Sequence, residues 1–101
     1  MAEDLEIIDV EQFAKDGKDV PRDRRYRIRI DRKQHVVDHA HPTGRELLVL
    51  AERIPPESWR LDQILRGGAA KQIGLDEKVD LTVKGVERFV TTPRQVQEGS
   101  R

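Results

Sequence analysis

The stretch Thr43-Gly44-Arg45-Glu46 gives the clearest local indication of structure in the chain. It fits a capping box, in which the Thr43 hydroxyl accepts from an amide three residues on and the Glu46 carboxylate reaches back. Apolar residues then follow at helical spacing: Leu47, Leu50, Ala51 and Ile54. Because Pro55-Pro56 cannot continue a helix, we expect one helix of about ten residues that ends near Arg53.

Before this helix, the apolar pattern has a period of two. Apolar and basic residues alternate along six positions: Tyr26, Ile28 and Ile30 against Arg25, Arg27 and Arg29. This alternation predicts a strand with an apolar inner face and a guanidinium outer face. A short polar connection leads to His35-Val36-Val37, which we interpret as a second strand paired antiparallel with the first.

After the helix, Trp59, Leu61 and Ile64-Leu65 predict a third strand, with Gly67-Gly68 as a turn. Residues 79–83 and 86–90 form either two strands or one strand with a lead-in. The order is hairpin, helix, then further strands, which indicates an α+β fold: a mixed sheet of four to five strands with one packed helix. A crossover through the helix would let the first and last strands lie side by side and parallel.

The composition limits the classes of function. The chain has 101 residues, enough for one domain, and its 19 basic and 19 acidic residues cancel. A zero net charge argues against a nucleic-acid coat or a membrane-surface protein. The absence of cysteine excludes disulfides and thiolate mechanisms. With neither an N-terminal apolar leader nor a long apolar run, the expected compartment is the cytoplasm.

The charge is divided between two neighbouring segments. Residues 1–20 carry seven acids and two lysines, whereas residues 21–33 carry seven bases and two acids. An acidic arm and a basic strand can screen each other within the chain. Residues 1–23 are interpreted as an N-terminal extension with a short helix, with Asp9 as its N-cap and Gly17 after its end. A mobile linker and a docked segment are both compatible with this pattern.

The order of these elements resembles the ubiquitin-like β-grasp fold, and several segments together resemble the bacterial multiubiquitin-type domains. The segments are Tyr26–Ile30, Pro42–Glu46, Trp59–Gln63 and Val86–Phe89, with Ile54-Pro55-Pro56 after the helix. The resemblance covers about residues 10–92. It implies a ubiquitin-like domain over residues 24–91, followed by a flexible C-terminal tail over residues 92–101.

The resemblance also implies a function. Such proteins are modifiers, and their partners are activating-like enzymes, conjugating-like enzymes, a JAB-type peptidase and a target protein, in antiphage defence. A partner enzyme would adenylate the C-terminal carboxylate with ATP and pass it on as an ester or thioester to a target amine or hydroxyl. The chain itself would not be an enzyme and would need no bound cofactor.

Two glycine-containing segments compete as the working end. Leu65-Arg66-Gly67-Gly68 is the tetrapeptide that ends ubiquitin, but cleavage after Gly68 would remove the last strand. We therefore interpret it as an internal turn. Gly99 is the alternative conjugation site, after removal of Ser100 and Arg101, because a residue without Cβ can pass through a narrow enzyme channel. An incidental terminal glycine is an equally open interpretation.

Seven residues are candidates for contacting a partner: Arg27, Arg29, Trp59, Arg60, Asp62, Arg88 and Phe89. In ubiquitin an exposed isoleucine follows the Arg-Leu pair, whereas here Asp62 follows Arg60-Leu61. The usual apolar patch is therefore broken, and binding by proteins that bind ubiquitin is not assumed for this chain. A dedicated partner that binds the Trp59–Gln63 face through different chemistry stays an open alternative.

The remaining polar residues predict neither catalysis nor metal binding. His35, His39 and His41 with Asp38 fit no common zinc spacing, so we interpret them as part of a polar loop. No residue has a partner placed for nucleophilic catalysis, so no catalytic residue is assigned.

Two further classes of function stay open beside a modifier. A β-grasp interaction module would bind partners without being conjugated. A small nucleic-acid-binding domain would rest on the arginine strand alone, and we expect no nucleic-acid or membrane partner.

Overall fold

The structure, a computed structural model, describes residues 6–94. Its strands are β1 (Ile7–Asp9), β2 (Arg25–Ile30), β3 (Lys33–Val37), β4 (Trp59–Leu65), β5 (Ala70–Ile73) and β6 (Val86–Pro93). Its helices are α1 (Val10–Lys15), α2 (Gly44–Leu50) and a short 3-10 helix (Pro56–Ser58). None of the helices in the described part of the chain has the length and apolarity needed to cross a membrane.

The strands form one mixed sheet around β2 and β6. One edge of β2 pairs antiparallel with β3, with Ile30 opposite Lys33. The other edge is shared, because β1 runs parallel to Arg25–Arg27 and β6 runs parallel at Ile30, opposite Phe89. β6 also pairs antiparallel with β4, and β4 with β5. The parallel arrangement expected for the first and last strands of the predicted domain is thus confirmed for β2 and β6.

The hydrophobic core lies between the inner face of the sheet and α2. The three apolar residues of β2 are buried, and the three arginines between them are only half-buried. Leu47 and Leu48 of α2 and Phe89 of β6 complete this layer, each at most 1% exposed. The α+β class and the β-grasp arrangement predicted from the sequence are therefore confirmed.

The capping box at the start of α2 is present as predicted. The Thr43 amide donates to Glu46 Oε1 at 2.8 Å, and the Glu46 amide donates to Thr43 Oγ1 at 3.1 Å. Position 44 requires a glycine, because a Cβ there would lie 2.3 Å from the Gly74 carbonyl oxygen. The helix ends at Leu50, earlier than expected, since Glu52 takes a left-handed conformation (φ +63°) and the Arg53 amide turns back to Leu48.

The N-terminal segment of residues 7–20 is docked on the sheet. β1 buries Ile8, and α1 buries Val10 and Ala14. The predicted cap of α1 is confirmed, because the Gln12 amide donates to Asp9 Oδ1 at 3.2 Å. Of the two arrangements compatible with the sequence, the structure has the docked segment.

The sheet has six strands, whereas four to five were expected. The sequence patterns did not predict β1 and β5. Residues 79–83 do not form a strand, so of the two alternatives the structure has one strand, β6, with an irregular lead-in before it. Val79 and Leu81 are nevertheless buried. Their amides donate to the Pro42 and Ala40 carbonyls at 2.8 Å, which holds this segment against the loop before α2. At the other end, β6 continues to Pro93, two residues past the end expected for the domain.

Candidate functional site

The C-terminal exit is the point at which the chain leaves the sheet after β6. Because β6 lies between β2 and β4, the exit is at one end of the middle of the sheet. The Arg94 amide donates to the Ser58 carbonyl at 2.9 Å, and Arg94 Nε donates to the Trp59 carbonyl at 3.1 Å. These bonds hold the last described residue against the start of β4. Gly99, the predicted conjugation site, lies outside the described residues.

A network of hydrogen bonds supports the strand just before this exit. Thr91 donates to Asp31 through its amide (2.9 Å) and its hydroxyl (2.6 Å). Arg53 Nη2 donates to the same carboxylate at 2.9 Å, and Arg53 Nε donates to Thr91 Oγ1 at 3.1 Å. The Arg53 guanidinium also stacks 4.8 Å from the centre of the Trp59 ring. The β2–β3 hairpin, the end of α2 and β6 are thereby tied together.

The electrostatics of this network favour an ionised Asp31. Burial alone would raise the pKa of Asp31, but the hydrogen bonds from Thr91 and Arg53, with the charge of Arg53, lower that pKa below its ordinary value. A charged Asp31 therefore stabilises the hairpin against β6. No local pattern in the sequence indicates this group, since Asp31 and Thr91 are 60 residues apart.

The candidate partner residues do not form one surface. Arg60, Asp62 and Arg88 share the outer face of the sheet with Arg27 and Arg29, because they alternate with core residues. Asp62 is only 9% exposed, and Arg60 Nε lies 3.1 Å from its Oδ2. The candidates Trp59 and Phe89 lie on the opposite, inner face of the sheet, which carries the core.

The assignment of Phe89 as a residue that contacts a partner is wrong. Its side chain is 0% exposed and belongs to the hydrophobic core opposite Ile30. A contact with another protein would require the core to open, so Phe89 is a packing residue. Trp59 is half-buried against the same core and lies beneath Arg53.

The outer face is covered in part by α1. This helix packs on β2 and β6, and its buried Glu11 carboxylate bonds to Arg29 Nη2. Arg24 Nε lies 3.8 Å from Glu6 Oε1 in a second, more exposed pair. The expected screening of the basic strand by the acidic arm is therefore confirmed. Arg29 is occupied within the chain, which leaves less of the arginine strand for a phosphate or an acidic partner.

The internal Leu65-Arg66-Gly67-Gly68 segment is the turn between β4 and β5. Gly67 and Gly68 have φ of +95° and +96°, which residues with a Cβ rarely adopt. The Leu65 amide donates to the Ala69 carbonyl at 2.8 Å, and the Gly68 amide to the Leu65 carbonyl at 2.9 Å. The interpretation of this tetrapeptide as an internal turn is confirmed.

The histidines are dispersed. The His41 amide donates to His39 Nδ1 at 3.3 Å, and His41 Nε2 lies 3.6 Å from Asp80 Oδ1. His35 lies on β3, where burial lowers its pKa. Within residues 6–94, no group of three or more His, Cys, Asp or Glu side chains is arranged to hold a metal ion.

A mixed sheet with one packed inner helix and a central last strand defines a ubiquitin-like β-grasp protein. A sequence model of the family described as multiubiquitin matches residues 26–94, which is more than half of the chain. The chain therefore belongs to the multiubiquitin family. No curated protein and no solved structure matches it at a significant level.

Proposed function

We propose that this chain is a bacterial ubiquitin-like protein modifier whose C-terminal tail is activated by a partner enzyme and joined to target proteins. The observation that carries the proposal is the position of β6. It is held on both sides within the sheet, and the chain leaves it directly at Arg94. A tail that starts at a fixed point can enter an enzyme channel while the folded body docks outside. Membership in the multiubiquitin family supports the same function.

The chemistry requires a free carboxylate on Gly99. An activating-like enzyme would form a bond from this carboxylate to the α-phosphorus of ATP and release pyrophosphate. An enzyme thiol or hydroxyl would then displace AMP, and a conjugating-like enzyme would pass the acyl group to a target amine or hydroxyl. This chain contributes the carboxylate and a docking body, and it catalyses no step. We extend the proposal to antiphage defence on the basis of the family resemblance.

The tail has enough length for this role. The five residues from Gln95 to Gly99 span at most about 17 Å when extended, at about 3.4 Å each. A JAB-type peptidase would first cut between Gly99 and Ser100. The absence of a Cβ at Gly99 would then let the carboxylate pass through a narrow channel.

The test combines the chain with the peptidase, the activating enzyme and ATP. Intact-mass analysis should show a chain ending at Gly99, then a heavier covalent species. A chain truncated after Arg94 keeps every described strand and should form no adduct. Gly99→Val should reduce adduct formation by at least tenfold.

The matched control is Gly74→Ala, because a Cβ there makes only ordinary contacts, the nearest at 3.7 Å. This variant should form adducts as the unchanged chain does. Adduct formation by the chain truncated after Arg94, or none by the unchanged chain with a competent enzyme, would contradict the proposal.

A β-grasp interaction module that is never conjugated is the second candidate. The observation in its favour is the open edge of β3, which pairs only with β2 within residues 6–94. A module of this kind would retain partner binding after truncation at Arg94 and would form no adduct with any activating enzyme.

A further inference from the structure

The last part of β6 extends past the end of β2. Among residues 6–94, these two strands pair only at Ile30 and Phe89, and the Asp31 amide donates to the Phe89 carbonyl at 2.8 Å. Beyond this point β6 pairs with β4 on one side, and no described strand lies on its other side. The Thr91 amide faces that other side, so it needs a partner that is not a strand.

The Asp31 carboxylate takes the place of the missing strand. Its Oδ1 accepts from the Thr91 amide at 2.9 Å, and its Oδ2 accepts from the Thr91 hydroxyl at 2.6 Å. Arg53 Nη2 donates to the same Oδ2 at 2.9 Å. Because this oxygen accepts from a hydroxyl and a guanidinium together, the carboxylate is held in one orientation. The position of Thr91 is fixed as a result.

Arg53 also contacts the segment that holds the first residue of the tail. Its guanidinium stacks 4.8 Å from the centre of the Trp59 ring, and the Trp59 carbonyl accepts from Arg94 Nε at 3.1 Å. The neighbouring Ser58 carbonyl accepts from the Arg94 amide at 2.9 Å. Arg53 therefore supports the C-terminal exit from two sides, through Thr91 of β6 and Trp59 of β4.

A guanidinium is suited to making these contacts at the same time. Its plane stacks on the indole ring while Nε donates to Thr91 Oγ1 at 3.1 Å and Nη2 donates to Asp31. A lysine at this position would keep the charge, but an ammonium group has no plane to stack and no fixed fork of donors. The Arg53 side chain is 36% exposed, so its charge alone contributes little to stability. Its main contribution is to geometry.

We propose that Arg53 is a positioning residue that sets the direction in which the C-terminal tail leaves the sheet. It holds Thr91 against the hairpin and stacks on Trp59, so the chain beyond Arg94 starts along one path. Arg53 acts through these residues and not on the reacting carboxylate. The inference rests on the proposed function, because the direction of the tail matters for conjugation only if an enzyme receives the tail.

The first test is amide hydrogen exchange on the full chain and needs no enzyme. Arg53→Lys should accelerate exchange of the Arg94 amide about tenfold or more, because the bond to Ser58 opens more often. The Val79 amide, which donates to the Pro42 carbonyl at 2.8 Å, should exchange as it does in the unchanged chain. Equal acceleration at both amides would mean a general loss of stability and would contradict a positioning role.

The second test measures the kinetics of adduct formation by a chain ending at Gly99, with the activating enzyme and ATP. A looser exit leaves the docking of the folded body intact but lowers the fraction of bound chains whose tail lies in the channel. Arg53→Lys should therefore lower kcat about fivefold or more with little change in KM. A loss of stability alone would reduce the amount of folded chain and raise the apparent KM with kcat unchanged.

Thr91→Val provides a second variant of the same group. It removes the hydroxyl that donates to Asp31 and accepts from Arg53, and it keeps the Thr91 amide bond. Exchange at Arg94 and kcat should change in the same direction as in Arg53→Lys. Combined with Arg53→Lys, its effect should be less than additive, because both variants break the same bond.

The matched control is Arg24→Lys, which makes the same change at a side chain of nearly equal exposure, 38%. Arg24 donates to the Arg22 and Asp23 carbonyls in the connection before β2. This variant should leave both the exchange of the Arg94 amide and kcat unchanged.

Three results would overturn the proposal. They are unchanged exchange at Arg94 in Arg53→Lys, an unchanged kcat in that variant, and equal effects from the Arg24 control. No adduct from the unchanged chain with a competent enzyme would instead contradict the proposed function. The exchange experiment would then still decide whether Arg53 holds the C-terminal exit.

Discussion

The two sides of β2 differ in how far other elements of the chain cover them. One edge and the outer face carry β1 and α1, which bring acidic side chains onto the basic strand and bury Ile8 and Val10. The opposite neighbour, β3, has a far edge that no other strand among residues 6–94 pairs with. The difference indicates that the outer face, where ubiquitin has its isoleucine, is used in part for internal packing.

The largest expected effect comes from a substitution in β1, on the covered side of β2. Ile8→Ala removes a buried side chain of β1 that is 1% exposed, and it should lower the free energy of unfolding by about 2–5 kcal/mol. Urea denaturation measures this change. Ile7→Ala, at the half-buried neighbouring position, is the control and should cost clearly less. Equal small effects would mean that β1 contributes little to the fold.

The second effect concerns the Asp31 network. Asp31→Asn should lower the free energy of unfolding at pH 7 by about 1–3 kcal/mol, because Thr91 and Arg53 lose a charged acceptor. The pKa of folded Asp31 is lowered, so its contribution is complete above the unfolded pKa of about 3.9 and is lost as pH falls through the folded pKa.

Denaturation at a series of pH values checks the sign of this dependence. The unchanged chain should lose stability below about pH 4, and Asp31→Asn should show a shallower loss there. Asp38→Asn changes the same kind of group at an exposed position and serves as the control. A variant that keeps the full acid dependence would contradict the role of Asp31.

The third effect compares two acids of the N-terminal segment. Glu11→Gln weakens the bond to Arg29 at a side chain that is 12% exposed, and should cost about 1 kcal/mol. Glu6→Gln removes the same charge at a side chain that is 69% exposed, and should cost less than about 0.5 kcal/mol. Thermal denaturation at low and high salt should show that salt weakens the Glu11 pair by the smaller fraction, because salt screens a buried ion pair less than an exposed one. Indistinguishable variants would argue against docking through Glu11.

The smallest effect is expected on the open side. Leu50→Ser replaces an apolar side chain that already contacts water, so the free energy of unfolding should change by less than about 1 kcal/mol. Leu47→Ser, at a fully buried position of the same helix, is the contrasting variant and should be strongly destabilising. A large loss for Leu50→Ser would mean that Leu50 is part of the core.

The sequence predicted elements whose cause is local. The capping box of α2, the alternation of β2 and the cap of α1 each depend on residues within one turn or one strand. β1 has only three residues and exists because Ile7–Asp9 pairs with a strand beginning at Arg25. β5 likewise forms against β4, since Ala70–Ile73 has no clear alternation of its own.

The functional surfaces were less predictable for a related reason. Phe89 was expected at a surface because strand parity alone does not say which face is covered. Arg53, Asp31 and Thr91 come together only in the fold, since they are distant in sequence.

Amide hydrogen exchange tests the contrast between the covered and open sides most directly. The Arg25 amide donates to the Glu6 carbonyl at 3.2 Å, and the Asp16 amide donates to the Gln12 carbonyl at 3.0 Å. Both should be protected from exchange, whereas the outward amides of Gln34 and Val36 should exchange rapidly in the free chain. Rapid exchange at Arg25 and Asp16, or protection at Gln34 and Val36, would contradict a covered outer face and an open β3 edge.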